Sequence, residues 1–144
     1  MKMKLIAGLI FVIISAAFAL DSNKFDLQSA MDKLIELRNS CLAETKATEA
    51  DVKDIANSKI PSTHEGKCLV FCYSKNFGFQ DPDGKFNKEK ALEELDEIKE
   101  EKELHALFKD VILNCMDSVK ENSDPCITAS ELFACISKRM EELK

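Results

Sequence analysis

The chain has no tryptophan, a single tyrosine (Tyr73), four glycines and three prolines. So little glycine and proline leaves few places for the tight turns that separate short strands. Runs of alternating Val, Ile, Thr or aromatic residues are also missing, which argues against a β-sheet. Asn-x-Ser/Thr never occurs, so no N-linked glycan is expected. There is no basic patch, and the formal charge is −6. An acidic chain of this kind is a poor partner for nucleic acid or anionic membranes. Cys-x-x-Cys is absent, and only His64 and His105 supplement the cysteines, so neither a zinc site nor any other cofactor is expected. Gly-x-Ser-x-Gly is absent as well.

What is present begins with a basic Met-Lys-Met-Lys, an uncharged run from Leu5 to Ile14, and Ser15-Ala16-Ala17-Phe18-Ala19. These are the n-region, h-region and small-residue cleavage site of a secretory signal, here placed at 1–19. The apolar run is shorter than the roughly 20 residues of a spanning helix, so a membrane anchor is disfavoured. Residues 20–144 then form one secreted domain by length. Losing Lys2 and Lys4 takes its charge from −6 to −8.

The domain reads as six helices, an all-α class. Leu27, Met31, Leu34, Ile35 and Leu37 recur at helical spacing and predict a first helix from Phe25 to about Ser40. Thr48 caps a second helix reaching Asn57, with Glu49 and Asp51 in its first turn. The third runs from Glu65 to Asn76. Asp81-Pro82-Asp83-Gly84 is a turn with Pro second and Gly fourth. As a calcium loop it fails, because Gly is not sixth and the twelfth position is Leu92. Asn87 caps a fourth helix bearing Ala91, Leu92, Leu95 and Ile98. A fifth spans Lys102 to Lys120. The sixth starts at Pro125 or Thr128, with Leu132, Phe133, Ile136 and Met140 inward. His64 in a polar loop and His105 near the start of the fifth helix read as solvated, and the glutamates of 93–103 as a solvated face.

Six cysteines, Cys41, Cys68, Cys72, Cys115, Cys126 and Cys135, are an even count in a secreted chain and read as three disulfides. The gaps are 26, 3, 42, 10 and 8 residues. Cys68 and Cys72 share one helix face, and a regular helix holds them too far apart to close on each other. They must therefore reach two different segments. A hairpin of the fifth and sixth helices can bring Cys115 to Cys135. Cys41 and Cys126 remain for the third helix, in either order.

This pattern resembles the insect odorant-binding proteins, the general and pheromone-binding family. The carriers are the six cysteines, the three-residue gap in Cys68-Leu69-Val70-Phe71-Cys72, the eight-residue gap from Cys126 to Cys135, and the segment Phe77 to Asn87, similar to the family's linker between helices three and four. The resemblance covers the whole mature chain. It implies a six-helix domain around an apolar cavity, with bridges Cys41–Cys72, Cys68–Cys126 and Cys115–Cys135. It also implies a non-enzymatic, secreted carrier of small hydrophobic molecules such as odorants or pheromones.

The candidate ligand-binding residues are Phe71, Phe77, Phe108, Val111, Ile112, Met116, Leu132, Phe133 and Ile136. Each competes with a plain core role, since an apolar helical face reads the same against a helix or a ligand. Tyr73 is either a ligand hydrogen-bonder or solvent-facing. Two other classes share some of these features. A secreted phospholipase needs a His–Asp pair beside a calcium loop, and no such motif is found. A saposin-like lipid module is also helical with six cysteines, but it has Cys-x-x-Cys and a shorter chain. Within the carrier class, non-odour lipids or hormones in another secreted fluid are the alternative cargo.

Overall fold

The computed structural model of the chain describes residues 27–143. The expected signal at 1–19 and the expected helix start at Phe25 lie outside the described residues. Six α-helices follow in order: α1 (Leu27–Thr45), α2 (Glu49–Ala56), α3 (His64–Asn76), α4 (Lys88–Leu95), α5 (Lys102–Ser118) and α6 (Pro125–Glu142). A single 3₁₀ turn, Asp96–Ile98, continues α4. Among the described residues, β-pairing is confined to one isolated bridge between Gln80 and Phe86.

The helix starts follow from side chains that satisfy the first free backbone N–H groups. Thr63 accepts from Gly66 N at 2.9 Å, Asn87 from Lys90 N at 3.0 Å, and Asp124 from Cys126 N at 2.9 Å. Before α2 the roles reverse, and Asp51 Oδ2 accepts from Thr48 N at 2.9 Å. Pro125 opens α6, where its missing N–H costs nothing.

One boundary differs from the sequence expectation. The first helix runs on to Thr45 and takes in Cys41, which the periodicity had placed at its end. Cys41-Leu42-Ala43-Glu44 contains no breaker, and Leu42 is partly buried against the core. The exit comes at Lys46, whose φ of 65 turns the backbone left-handed.

α3 is the centre of the molecule. It packs most extensively against α6, then against α1 and α2, while α5 lies on α6 and α4. Cys41–Cys72 ties α1 to α3, Cys68–Cys126 ties α3 to α6, and Cys115–Cys135 ties α5 to α6. The 81–84 turn docks on the start of α6. Gly84 has φ +89, and a Cβ there would stand 2.5 Å from Pro125 Cβ, so the turn requires glycine for both conformation and space. Gln80, 2 % exposed, reinforces the contact through Nε2, which donates to Gly84 O at 2.9 Å and Pro125 O at 3.4 Å.

Candidate functional site

The apolar residues of α3, α5 and α6 converge on one cluster. Phe108, Val111, Ile112 and Met116 recur at three- and four-residue steps along α5 and are buried. Leu132, Phe133 and Ile136 do the same on α6. Phe77, the residue after α3, is also buried, whereas Phe71 is half-exposed and packs on the cluster's edge beneath Lys75 Nζ, 5.3 Å from its ring. The structure thus gathers all nine candidates into or against one apolar mass.

The cluster also contains residues outside the nine candidates. Phe79 and Leu95 are each 1 % exposed, and Ile98 and Leu69 are buried with them. Leu95 and Ile98 are spaced three apart, and that periodicity marks them as inward. Phe79 lies in an irregular segment with no period to read, and it is buried as part of the central cluster.

A surface cleft of about 520 Å³ opens at the start of α5, lined by Glu100, Glu101, Lys102, Glu103, Leu104 and Leu107. None of the nine candidates lines it. Its two leucines are partly buried and pack against the central cluster, and its other four lining residues are charged. On α4, burial pushes the Glu94 carboxyl up, Lys90 pulls it down, and Glu97 and Glu93 raise it further.

Each histidine has a carboxylate partner; His64 is solvent-exposed as expected, whereas His105 is half-buried. His64 is the first residue of α3, and its Nε2 lies 2.8 Å from Asp124 Oδ2. His105 Nε2 stands 3.6 Å from Asp96 Oδ1. The His64 partner is sixty residues away, beyond any local pattern. Tyr73 is partly buried on the cluster rather than solvent-facing. Burial raises its hydroxyl's pKa, Arg38 lowers it, and Glu49 raises it.

Two clusters hold metal-type ligands within 4.8 Å of one another: His64 with Cys68 and Cys126, and Glu44 with Cys41 and Cys72. All four cysteines are bridged, and a disulfide sulfur has no thiolate to give a metal.

Three bridges that staple α1, α3, α5 and α6 around one apolar cluster define a disulfide-framed helical domain. A family model described as PBP/GOBP matches residues 24–139, and the chain belongs to that family. It is 35% identical to general odorant-binding protein 19d of Drosophila melanogaster over 112 residues, 77% of this chain and 74% of that protein. It is 41% identical to general odorant-binding protein 28a of the same species over 69 residues, 48% of each. The solved structure of odorant-binding protein dmelOBP28a from Drosophila melanogaster superposes with a TM-score of 0.66 at 27% identity, covering 82% of this chain and 98% of that one.

Proposed function

We propose that the chain is a secreted carrier that holds small hydrophobic molecules, odorants or pheromones, in an internal apolar cavity. The observation that carries this reading is the three-bridge frame around a single apolar cluster, in a chain of the PBP/GOBP family. The relatives' names, general odorant-binding proteins, support the class of cargo.

The physical logic is direct. A volatile apolar molecule dissolves poorly in water, and burying it releases about 25 cal/mol per Å² of apolar surface. Unfilled interior volume is destabilising, so a cavity needs stability from elsewhere. Crosslinks that restrict the unfolded chain supply it without filling the interior. In this reading the ligand enters beside Leu104 and Leu107, which pack on the cluster, and is held by α3, α5 and α6 through Phe71, Phe77, Phe108, Val111, Ile112, Met116, Leu132, Phe133 and Ile136. No step of this function needs a catalytic group, and none is assigned.

A fluorescent apolar probe tests the reading. Long-chain alcohols, esters or terpenoids are expected to displace it in a saturable, one-site manner. Absence of saturable probe binding by the correctly bridged protein would overturn the carrier reading. Because the chain lacks tryptophan, the probe's own emission must report.

A further inference from the structure

Asp124 holds two partners at once. Its Oδ1 accepts from Cys126 N at 2.9 Å, capping α6, and its Oδ2 lies 2.8 Å from His64 Nε2. An ionised carboxylate only accepts, so Nε2 carries the hydrogen and Nδ1 of the neutral ring keeps its lone pair. His64 and Cys68 are four residues apart on α3 and share a face. The ring therefore lies beside the bridge, with Nδ1 at 3.7 Å and Nε2 at 3.9 Å from Cys68 Sγ. Cys68 is half-exposed, and the His64 side chain is 61% exposed, so a solute reaches both. Cys126, on the far side of the bond, is the second residue of the 18-residue α6, at the helix end whose dipole favours a thiolate.

We propose that Cys68–Cys126 is a thiol-exchange site, opened by small thiols ahead of the other two bridges, with His64 as general base and Asp124 as its positioning residue. A thiol approaching Cys68 gives its proton to His64 Nδ1, and Asp124 stabilises the imidazolium. The thiolate attacks Cys68 Sγ and forms a mixed disulfide there. The Sγ–Sγ bond breaks, its electron pair leaves on Cys126, and that thiolate takes the proton back from His64 or from water. With a dithiol, the second thiolate attacks the reagent's sulfur in the mixed disulfide and expels Cys68, which is protonated in turn. The dithiol ends as a cyclic disulfide, oxidised by two electrons, and the bridge as two thiols.

Among the described residues, the groups recorded beside the sulfurs of the other two bridges include no imidazole. Cys41 and Cys72 are 0% and 2% exposed, and the Glu44 carboxylate stands 3.1 Å from Cys72 Sγ, where it repels an arriving or departing thiolate. The Asn76 amide donates to Cys72 O at 2.7 Å and lies 3.8 Å from Cys72 Sγ and 4.0 Å from Cys41 Sγ, a donor that takes up no proton. Cys135 is half-exposed like Cys68, but Cys115 is fully buried in the last turn of α5, the end of a helix that disfavours anions, and the neighbour of Cys135 Sγ is the Ser118 hydroxyl at 3.9 Å in place of an imidazole.

The proposal is independent of the carrier reading and is tested on the folded, oxidised chain. Dithiothreitol is added at neutral pH, samples are quenched with iodoacetamide over time, and the bridges are followed by peptide mapping. Cys68 and Cys126 are expected to be alkylated first, at least about tenfold faster than either other pair. His64→Gln should slow that opening about tenfold or more and leave Cys115–Cys135 unchanged. Asp124→Asn keeps a capping side chain and should slow it as well. Another bridge opening first, or unchanged Cys68–Cys126 kinetics in both variants, would overturn the proposal. So would one common factor on all three bridges, the mark of global unfolding. Should His64→Gln fail to fold, the order of opening in the unaltered chain and the Asp124→Asn rate still decide.

Discussion

Gly66 shows how much a single position can hold. It is buried in the first turn of α3, where a Cβ would stand 2.4 Å from Pro61 Cβ and 2.5 Å from Asp51 Oδ1. Gly66→Ala must push α3 off Pro61 and Asp51, and overpacking of this kind costs about 1–3 kcal/mol, measurable by urea unfolding. Asp51 itself is 3% exposed and serves both neighbouring helices. Burial pushes its carboxyl up, but hydrogen bonds from Thr48 N, the Thr63 hydroxyl and the Thr48 hydroxyl outweigh that and hold it below its ordinary value of 3.8. A carboxyl depressed in the fold contributes stability above its unfolded value, and that stability is lost as pH falls through the lower folded value. Asp51→Asn should therefore destabilise the protein at neutral pH and flatten its stability profile below about pH 4, as acid titration of the unfolding midpoint would show. Phe108 and Phe133, 3% and 2% exposed, carry the test of the proposed cavity. Truncation to Ala costs about 3–5 kcal/mol at a packed aromatic. As cavity walls they should also change which alcohols or terpenoids displace the probe. Lost stability with unaltered ligand preference would assign them to the core.

The helices themselves were legible wherever caps and periodicity agreed. Thr48, Asn87 and Pro125 each mark a start that the structure keeps within a residue. α1 was harder to end, because nothing from Cys41 to Glu44 opposes a helix and the stop depends on the left-handed Lys46. Its apolar spacing also overstates its burial. Met31 and Ile35 are 46% and 49% exposed, since periodicity shows a stripe and not what covers it. α6 continues the pattern to Glu142, with Met140 buried and Lys138 and Arg139 exposed. Pushing those charges, with Glu141 and Glu142, into an apolar interior would carry a heavy desolvation cost. The residues after Cys135 are therefore not expected to act as a plug that displaces ligand. Deleting Glu141 to Lys144 should leave probe affinity unchanged at neutral pH and leave any acid-driven loss of affinity in place. Disappearance of the acid response in that truncation would make the tail the switch.

At the scale of the whole molecule, stability is shared between one apolar cluster and three crosslinks that close 31, 58 and 20 residues of chain. Removing Cys41–Cys72 through a Cys41→Ala/Cys72→Ala double variant is expected to lower unfolding free energy by about 2–4 kcal/mol, read by urea titration. Composition, spacing and caps were enough for the helical class, the six segments and the even set of bridged cysteines, because these depend on interactions within a few residues of chain. The order of pairing at Cys68 and Cys72 came from the family pattern, since both sulfurs lie on one face of α3 and local geometry suits either partner. Tertiary packing placed the rest. It buried Phe79 in the central cluster, set Asp51 between two helix starts, and brought Asp124 across sixty residues to His64 and the Cys68–Cys126 bridge. Such contacts depend on where helices cross, and a crossing is decided by the fit of many side chains at once, which no single stretch of sequence contains.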